Sequence, residues 1–238
     1  MAVNFSGILP ITATFTGNDY YSPSTGQGSF SLKSAKQLKQ DALSYLRNIQ
    51  VNSKQSGYDV AKAMEFINGS LIAALWTDAS RLDSKQGHKV FDSEKIAVQE
   101  LLKILEDKGR HADTAINDNI QATIDQLIRA DNLLVKVAIY TAKNATIQSK
   151  FQKQFEHEIS LAEKELTSAQ ANLSTDKQAQ AIDSYREAWL HAQLAIKFGV
   201  SNKNSLMAVS ATVLLTACGV FVAKKKRSRK RKQQINHN

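Results

Sequence analysis

Histidine, cysteine and paired carboxylates build most active and metal sites, and this sequence scatters them. His88, His111, His157, His191 and His237 lie far apart in the chain. None belongs to an H-E-x-x-H pair, which would set two imidazoles on one helix face for zinc. Glu156–His157–Glu158 lacks a second histidine at helical spacing, so it reads as a solvated helix face. Cys218 is the single cysteine, which excludes a disulfide within the chain and a thiolate-ligated metal site. Its place in an apolar run also removes it as a nucleophile. Gly26 and Gly28 form no G-x-G-x-x-G, no P-loop is present, and no serine sits in a G-x-S-x-G elbow. The expectation is therefore no catalytic, cofactor-binding or metal-ligating residue, and no cofactor.

Two aspartates stand out beside apolar stripes, Asp78 and Asp131. They would form a site only if both turned inward. An aspartate at a stripe edge ordinarily reaches water, and that is the preferred reading. Trp76 and Trp189 would offer a ligand a stacking platform, but helix-packing anchors are the commoner use of such residues. Four N-x-[ST] sequons, at Asn4, Asn68, Asn144 and Asn172, are glycan acceptors only if the chain is exported. An Asn- and Ser-rich chain produces several by chance, so they decide little.

The formal charge is +9 over 238 residues, which suggests a nucleic-acid binder until the charge is located. Lys224, Lys225, Lys226, Arg227, Arg229, Lys230, Arg231 and Lys232 lie in one acid-free run, and the remaining positions sum to only about +1. Directly before this run, residues 205–223 read "SLMAVSATVLLTACGVFVA", without a charge. As a helix they would span about 28 Å, close to a bilayer's hydrocarbon core of about 30 Å. An apolar span abutting a basic stop-transfer run predicts a transmembrane helix. The positive-inside rule puts the tail of 224–238 in the cytoplasm, against anionic head groups, and the body outside. Leu215–Cys218 ("LTAC") imitates a lipobox, Leu9–Ala13 ("LPITA") a sortase signal, and the basic run a nuclear-localisation patch. Position argues against the first two, and the anchor explains the third. Export needs a secretion signal, and "MAVNFSGILPITATF" has neither a basic n-region nor an apolar h-region. The expectation is that the chain lacks its true beginning, since the alternative drives the basic tail across the membrane.

The elements are helical after residue 33, for both prolines, Pro10 and Pro23, precede it. Before it, "ITATFTG" and "SFSL" alternate with period 2 and flank turn residues, which predicts a β-hairpin with a long connection. The stretch "ITATFTGNDYYSPSTGQGSFSL" resembles the closing part of a bacterial or archaeal immunoglobulin-like repeat, through Ile11 to Gly17, Tyr20, Tyr21, "SPSTG" and Phe30. That resemblance implies a sandwich of roughly seven strands, of which two are supplied here. It also implies a stalk or adhesive module of a surface protein.

Six amphipathic helices are predicted. The first carries Leu38, Ala42, Tyr45, Leu46 and Ile49. A break at Ser56-Gly57 leads to a second helix, capped by Asp59 and running through Val60, Ala63, Met64, Ile67, Leu71, Ala74, Leu75 and Leu82. After a loop "DSKQGHKV", Asp92 caps a third helix that Gly109 closes. A long fourth runs from Ile116 to Ala142. A fifth, Phe151 to Leu173, turns at "LSTDKQ" into a sixth bearing Ala179, Ile182, Tyr185, Trp189, Ala192 and Ile196. The last pair resembles a tetratricopeptide-like helical hairpin, without its repeat period. The segments "LWTDASRLDSKQGHKVFDSEKIAVQEL" and "AQAIDSYREAWLHAQLAIK" resemble an uncharacterised helical region found before C-terminal anchors of archaeal surface proteins.

The expected fold is mainly α: an antiparallel helical bundle or αα-hairpin array, with a short N-terminal β-hairpin and one C-terminal transmembrane helix. Its parts are 1–33, a partial Ig-like β segment; 34–200, the helical domain; 201–204, a linker; 205–223, the span; and 224–238, the basic tail. The expected function is a non-enzymatic, single-pass cell-surface protein whose helical domain is a membrane-proximal spacer or an adhesion or envelope module. Its partners would be the anionic bilayer and an envelope or cell-surface protein, with no nucleic acid. The alternative is a ligand-binding receptor or sensor ectodomain that signals through a partner. A cytoplasmic body with a nucleic-acid-binding tail is the least favoured reading.

Overall fold

Alternation in the first strand and its partner does produce a hairpin. In the computed structural model, which describes residues 7–16, 22–51, 53–106 and 114–199, β1 (Gly7–Phe15) pairs antiparallel with β2 (Ser24–Leu32). Ile11 faces Gly28 and Phe15 faces Ser24 across the ladder. The pair forms a two-stranded sheet of its own, and Thr12, Thr14 and Phe15 are exposed on it. The predicted span at 205–223, the basic run from Lys224 to Lys232, the linker at 201–204, Asn4, Gly109, His111 and His237 lie outside the described residues.

Ser34 opens the helical part. Its hydroxyl accepts from Gln37 N, while the Gln37 side chain accepts from Ser34 N, a reciprocal cap on α1 (Ala35–Arg47). The buried stripe of α1 is Ala35, Leu38, Lys39, Ala42, Leu43 and Leu46. Tyr45, expected on that stripe, is 39% exposed, because Leu43 takes the inward place. A capping Ser53, whose Oγ accepts from Ser56 N at 3.0 Å, starts α2 (Lys54–Ser70). Ser56-Gly57 therefore lies inside the first turn instead of breaking the chain, and Asp59 is no cap.

The second predicted helix also ends early. Past Ser70 the chain forms a short 3-10 turn (Ala73–Leu75) and a small hairpin, β3 (Trp76–Asp78) with β4 (Arg81–Leu82). The Trp76 indole donates to Ser70 O at 2.7 Å and turns the chain out of the helix. Asp78 accepts from Ser80 N and from Arg81 in the turn. The Asp83 carboxylate then gathers Lys85 N and Gln86 N ahead of α3 (His88–Glu106). Asp92, expected as the cap, is inside α3 and pairs with Arg186 at 2.9 Å.

The long helix falls where its period places it, as α4 (Thr114–Lys143). Ile116, Ile120, Ile124, Leu127, Ile128, Leu134, Val135, Ala138 and Ala142 are all buried. Helix α5 (Gln152–Leu173) buries only Ile159, Ala162 and Ala169. It turns through Asp176, which holds φ 53°, into α6 at 178–199. α1 packs along α4 and α2 along α3, and one apolar cluster draws residues from all six helices. The molecule is thus mainly helical with a small N-terminal hairpin. Among the described residues no helix is long and apolar enough to cross a membrane.

Candidate functional site

Three fully enclosed ionisable side chains meet in the core of this helical body. Lys39 of α1, Glu94 of α3 and Asp131 of α4 each have no exposed side-chain surface. Each sits on its helix's apolar stripe: Lys39 beside Leu38, Ala42 and Leu43; Glu94 between Val90, Phe91, Ala97 and Val98; Asp131 between Leu127, Ile128, Leu134 and Val135. The stripes that build the core therefore also bring the three groups together. Lys39 Nζ donates to Glu94 Oε2 at 2.5 Å and to Asp131 Oδ1 at 2.7 Å.

Burial is costly for each charge, and here one cation faces two carboxyl groups. Burial pushes the Asp131 carboxyl well above its usual range, and the neighbouring Glu94 adds to the rise. Lys39 only partly opposes it. Burial alone would lower the Lys39 ammonium, but the two carboxyl groups outweigh it and hold the amine charged. Glu94 Oε1, Asp131 Oδ2 and the Tyr185 hydroxyl are buried and take no hydrogen bond within the described residues. Tyr185 of α6 is raised to about 12, first by burial and then by Asp131. The cluster thus joins an amine and two carboxyl groups in a water-excluded place, with the Tyr185 phenol near enough to feel the charge of Asp131.

Of these residues, only Asp131 stood out in the sequence, and its expected path to water is corrected: it is fully buried. Asp78 does not join it. That side chain is 40% exposed and pairs with Arg81. Lys39 and Glu94 carried a signal too, since each interrupts an apolar i, i+3, i+4 series with a charge.

Trp76 and Trp189 are both buried as packing anchors. Trp189 meets Phe91 with ring centroids 6.1 Å apart, and Lys36 lies over Trp76. His191 Nδ1 pairs with Glu158 Oε2 at 2.7 Å, tying α6 to α5. Among the described residues no group of three His, Cys, Asp or Glu gathers to hold a metal ion. Asn68 and Asn144 are exposed with their amides donating to Met64 O and Tyr140 O, and Asn172 is half-buried and donates to Ser184.

A second feature lies between the β3–β4 hairpin, α4 and α6. It is a half-open cavity of about 230 Å³, floored by Leu82, Leu134, Ala138 and Trp189 and rimmed by Arg81 and Gln193. Against protein-family models, curated proteins and solved structures, the chain finds no match.

Proposed function

We propose that the chain is a non-enzymatic, single-pass, membrane-anchored cell-surface protein. Its helical body, an antiparallel bundle, is a membrane-proximal spacer or interaction module facing an envelope or cell-surface partner. The observation that carries this reading is the uncharged run at 205–223 followed at once by eight Lys and Arg. Moving those charges across a bilayer is strongly disfavoured, so the tail stays cytoplasmic beside anionic lipids. The resemblance of the N-terminal stretch to a surface-protein repeat agrees with the same orientation.

The test is vectorial labelling. In a Cys218→Ser chain, a single cysteine is placed at Ser84, in the exposed turn before α3, or at Ser228 in the basic run. A membrane-impermeant maleimide should label the first on intact cells and the second only after permeabilisation. The reverse pattern overturns the topology.

The cavity favours a second reading, a sensor ectodomain. Its wall includes Trp189, Gln193 and Ile196 of α6, the helix that leads toward residue 205. A small apolar ligand with a polar head would fit it and would raise the thermal midpoint of the chain.

A further inference from the structure

The Lys39–Glu94–Asp131 cluster has one positive group for two carboxyl groups, all without exposure. It is neutral only when one carboxyl keeps its proton, and Asp131 is the group that its surroundings push toward the acid. Lys39 Nζ lies 2.7 Å from Asp131 Oδ1, and that oxygen is bonded to the carboxyl carbon, Cγ. An amine held against a carboxylic acid in this way is positioned for acyl transfer once it gives up its proton. Glu94 Oε2, 2.5 Å from the same nitrogen, is placed to accept its proton.

We propose that the chain forms an intramolecular isopeptide bond, an amide between Lys39 Nζ and Asp131 Cγ, with Glu94 as the proton carrier. The ground state is the ammonium, so the first step is a proton shift from Lys39 to Glu94. It leaves a free amine and a neutral Glu94. The nitrogen lone pair adds to Asp131 Cγ, forming the C–N bond while the carbonyl π pair moves onto oxygen. Glu94 returns its proton to the Asp131 hydroxyl, the C–O bond breaks, and water departs as the carbonyl reforms. Glu94 then takes a proton from the nitrogen and ends as the neutral acid. One amine and one acid become one amide and one water, with no oxidant, reductant or cofactor consumed.

The surroundings favour this direction. Condensation replaces buried ionised groups by a neutral amide and a neutral acid, which removes the cost of keeping charges away from water. The enclosed site also excludes the water that would hydrolyse the product. The bond ties α1 to α4, and a chain with one cysteine has no internal disulfide to do so. The proposal is independent of the membrane reading, for a linked chain of the opposite topology would leave it standing.

Mass spectrometry of the full chain, purified in detergent and then denatured, decides the matter. The expected result is an intact mass one water below that of the unlinked chain. Trypsin should fail at Lys39 and yield a branched peptide that joins the segments around Lys39 and Asp131. Recovery of the two residues in separate, unmodified peptides overturns the proposal and leaves an ion triad. Glu94→Gln preserves side-chain volume but cannot carry the proton, so that chain should remain unlinked while its circular dichroism stays helical. A linked Glu94→Gln chain overturns the role of Glu94. The wild-type mass decides the bond itself, whatever the folding of any variant.

Discussion

Glu100 shows how a nearly enclosed carboxylate on this protein can be kept ionised. Its side chain is 5% exposed, with Lys62 of α2 at 2.8 Å and Lys103 at 2.7 Å. Burial pushes its carboxyl up, but the hydrogen bonds and charges of Lys103 and Lys62 outweigh burial and hold it below 4.5. A lowered folded value adds stability above the unfolded value, and that stability is lost as pH falls through the folded one. Glu100→Gln should therefore cost about 1 kcal/mol at neutral pH, because both lysines are partly solvated and screened. The difference should fade in acid well below 4.5. Urea unfolding of both chains at neutral and acid pH measures it, and a gap that persists undiminished in acid would refute the assignment. The contrast with the triad explains what was legible. Asp131 is short, so its place among Leu127, Ile128 and Leu134 could be flagged from sequence. Lys39 and Glu94 are long enough to snorkel to water from a stripe edge. Only the packing of α1 and α3 against α4 shows that they do not.

At the level of elements, period was a good guide where helices are long and a poor one where side chains bend the chain. Ile116 to Ala142 repeat every three or four positions, and α4 follows them throughout. The period of α2 also continues through Leu71, Ala74, Leu75 and Leu82, yet the helix stops at Ser70. The cause is the Trp76 indole bond to Ser70 O and the Asp78 turn, two contacts that a stripe count does not contain. Two glycines sharpen the point. A Cβ on Gly87 would come 2.6 Å from Asp83 O and 2.9 Å from Trp189 Cζ2, where a backbone carbonyl and a buried ring cannot yield. Gly87→Ala should cost about 1–3 kcal/mol, the range for overpacking. A Cβ on Gly57 would meet only Val51 Cγ2 at 3.7 Å, and Gly57 sits within α2. Gly57→Ala should therefore stabilise by about 0.5–1 kcal/mol. Denaturant midpoints at unchanged slope measure both. Equal effects at the two positions would mean that the close approach at Gly87 is absent.

For the whole molecule, the charge distribution and the proposed bond lead to one mechanical expectation. Eight of the basic residues lie in the run at 224–232, so the rest of the sequence is nearly neutral. The proposed spacer role would put tension on the chain, and helices resist tension poorly when only side-chain packing opposes it. An amide between Lys39 and Asp131 bypasses that weakness, because residues separated by 92 positions become fixed to each other. It also closes a large loop in the unfolded chain, an effect of about 4–5 kcal/mol in the chain-entropy description. Single-molecule stretching with handles before α1 and after α6 reads the consequence directly. With the bond, the unfolded contour should fall short of the free chain by roughly 300 Å, since extended chain spans about 3.3–3.6 Å per residue. Glu94→Gln should restore that length while leaving the helical content of the folded body in place. Full contour from the wild-type chain would remove the covalent tie, and the triad would then hold α1, α3 and α4 only by charge and hydrogen bonds.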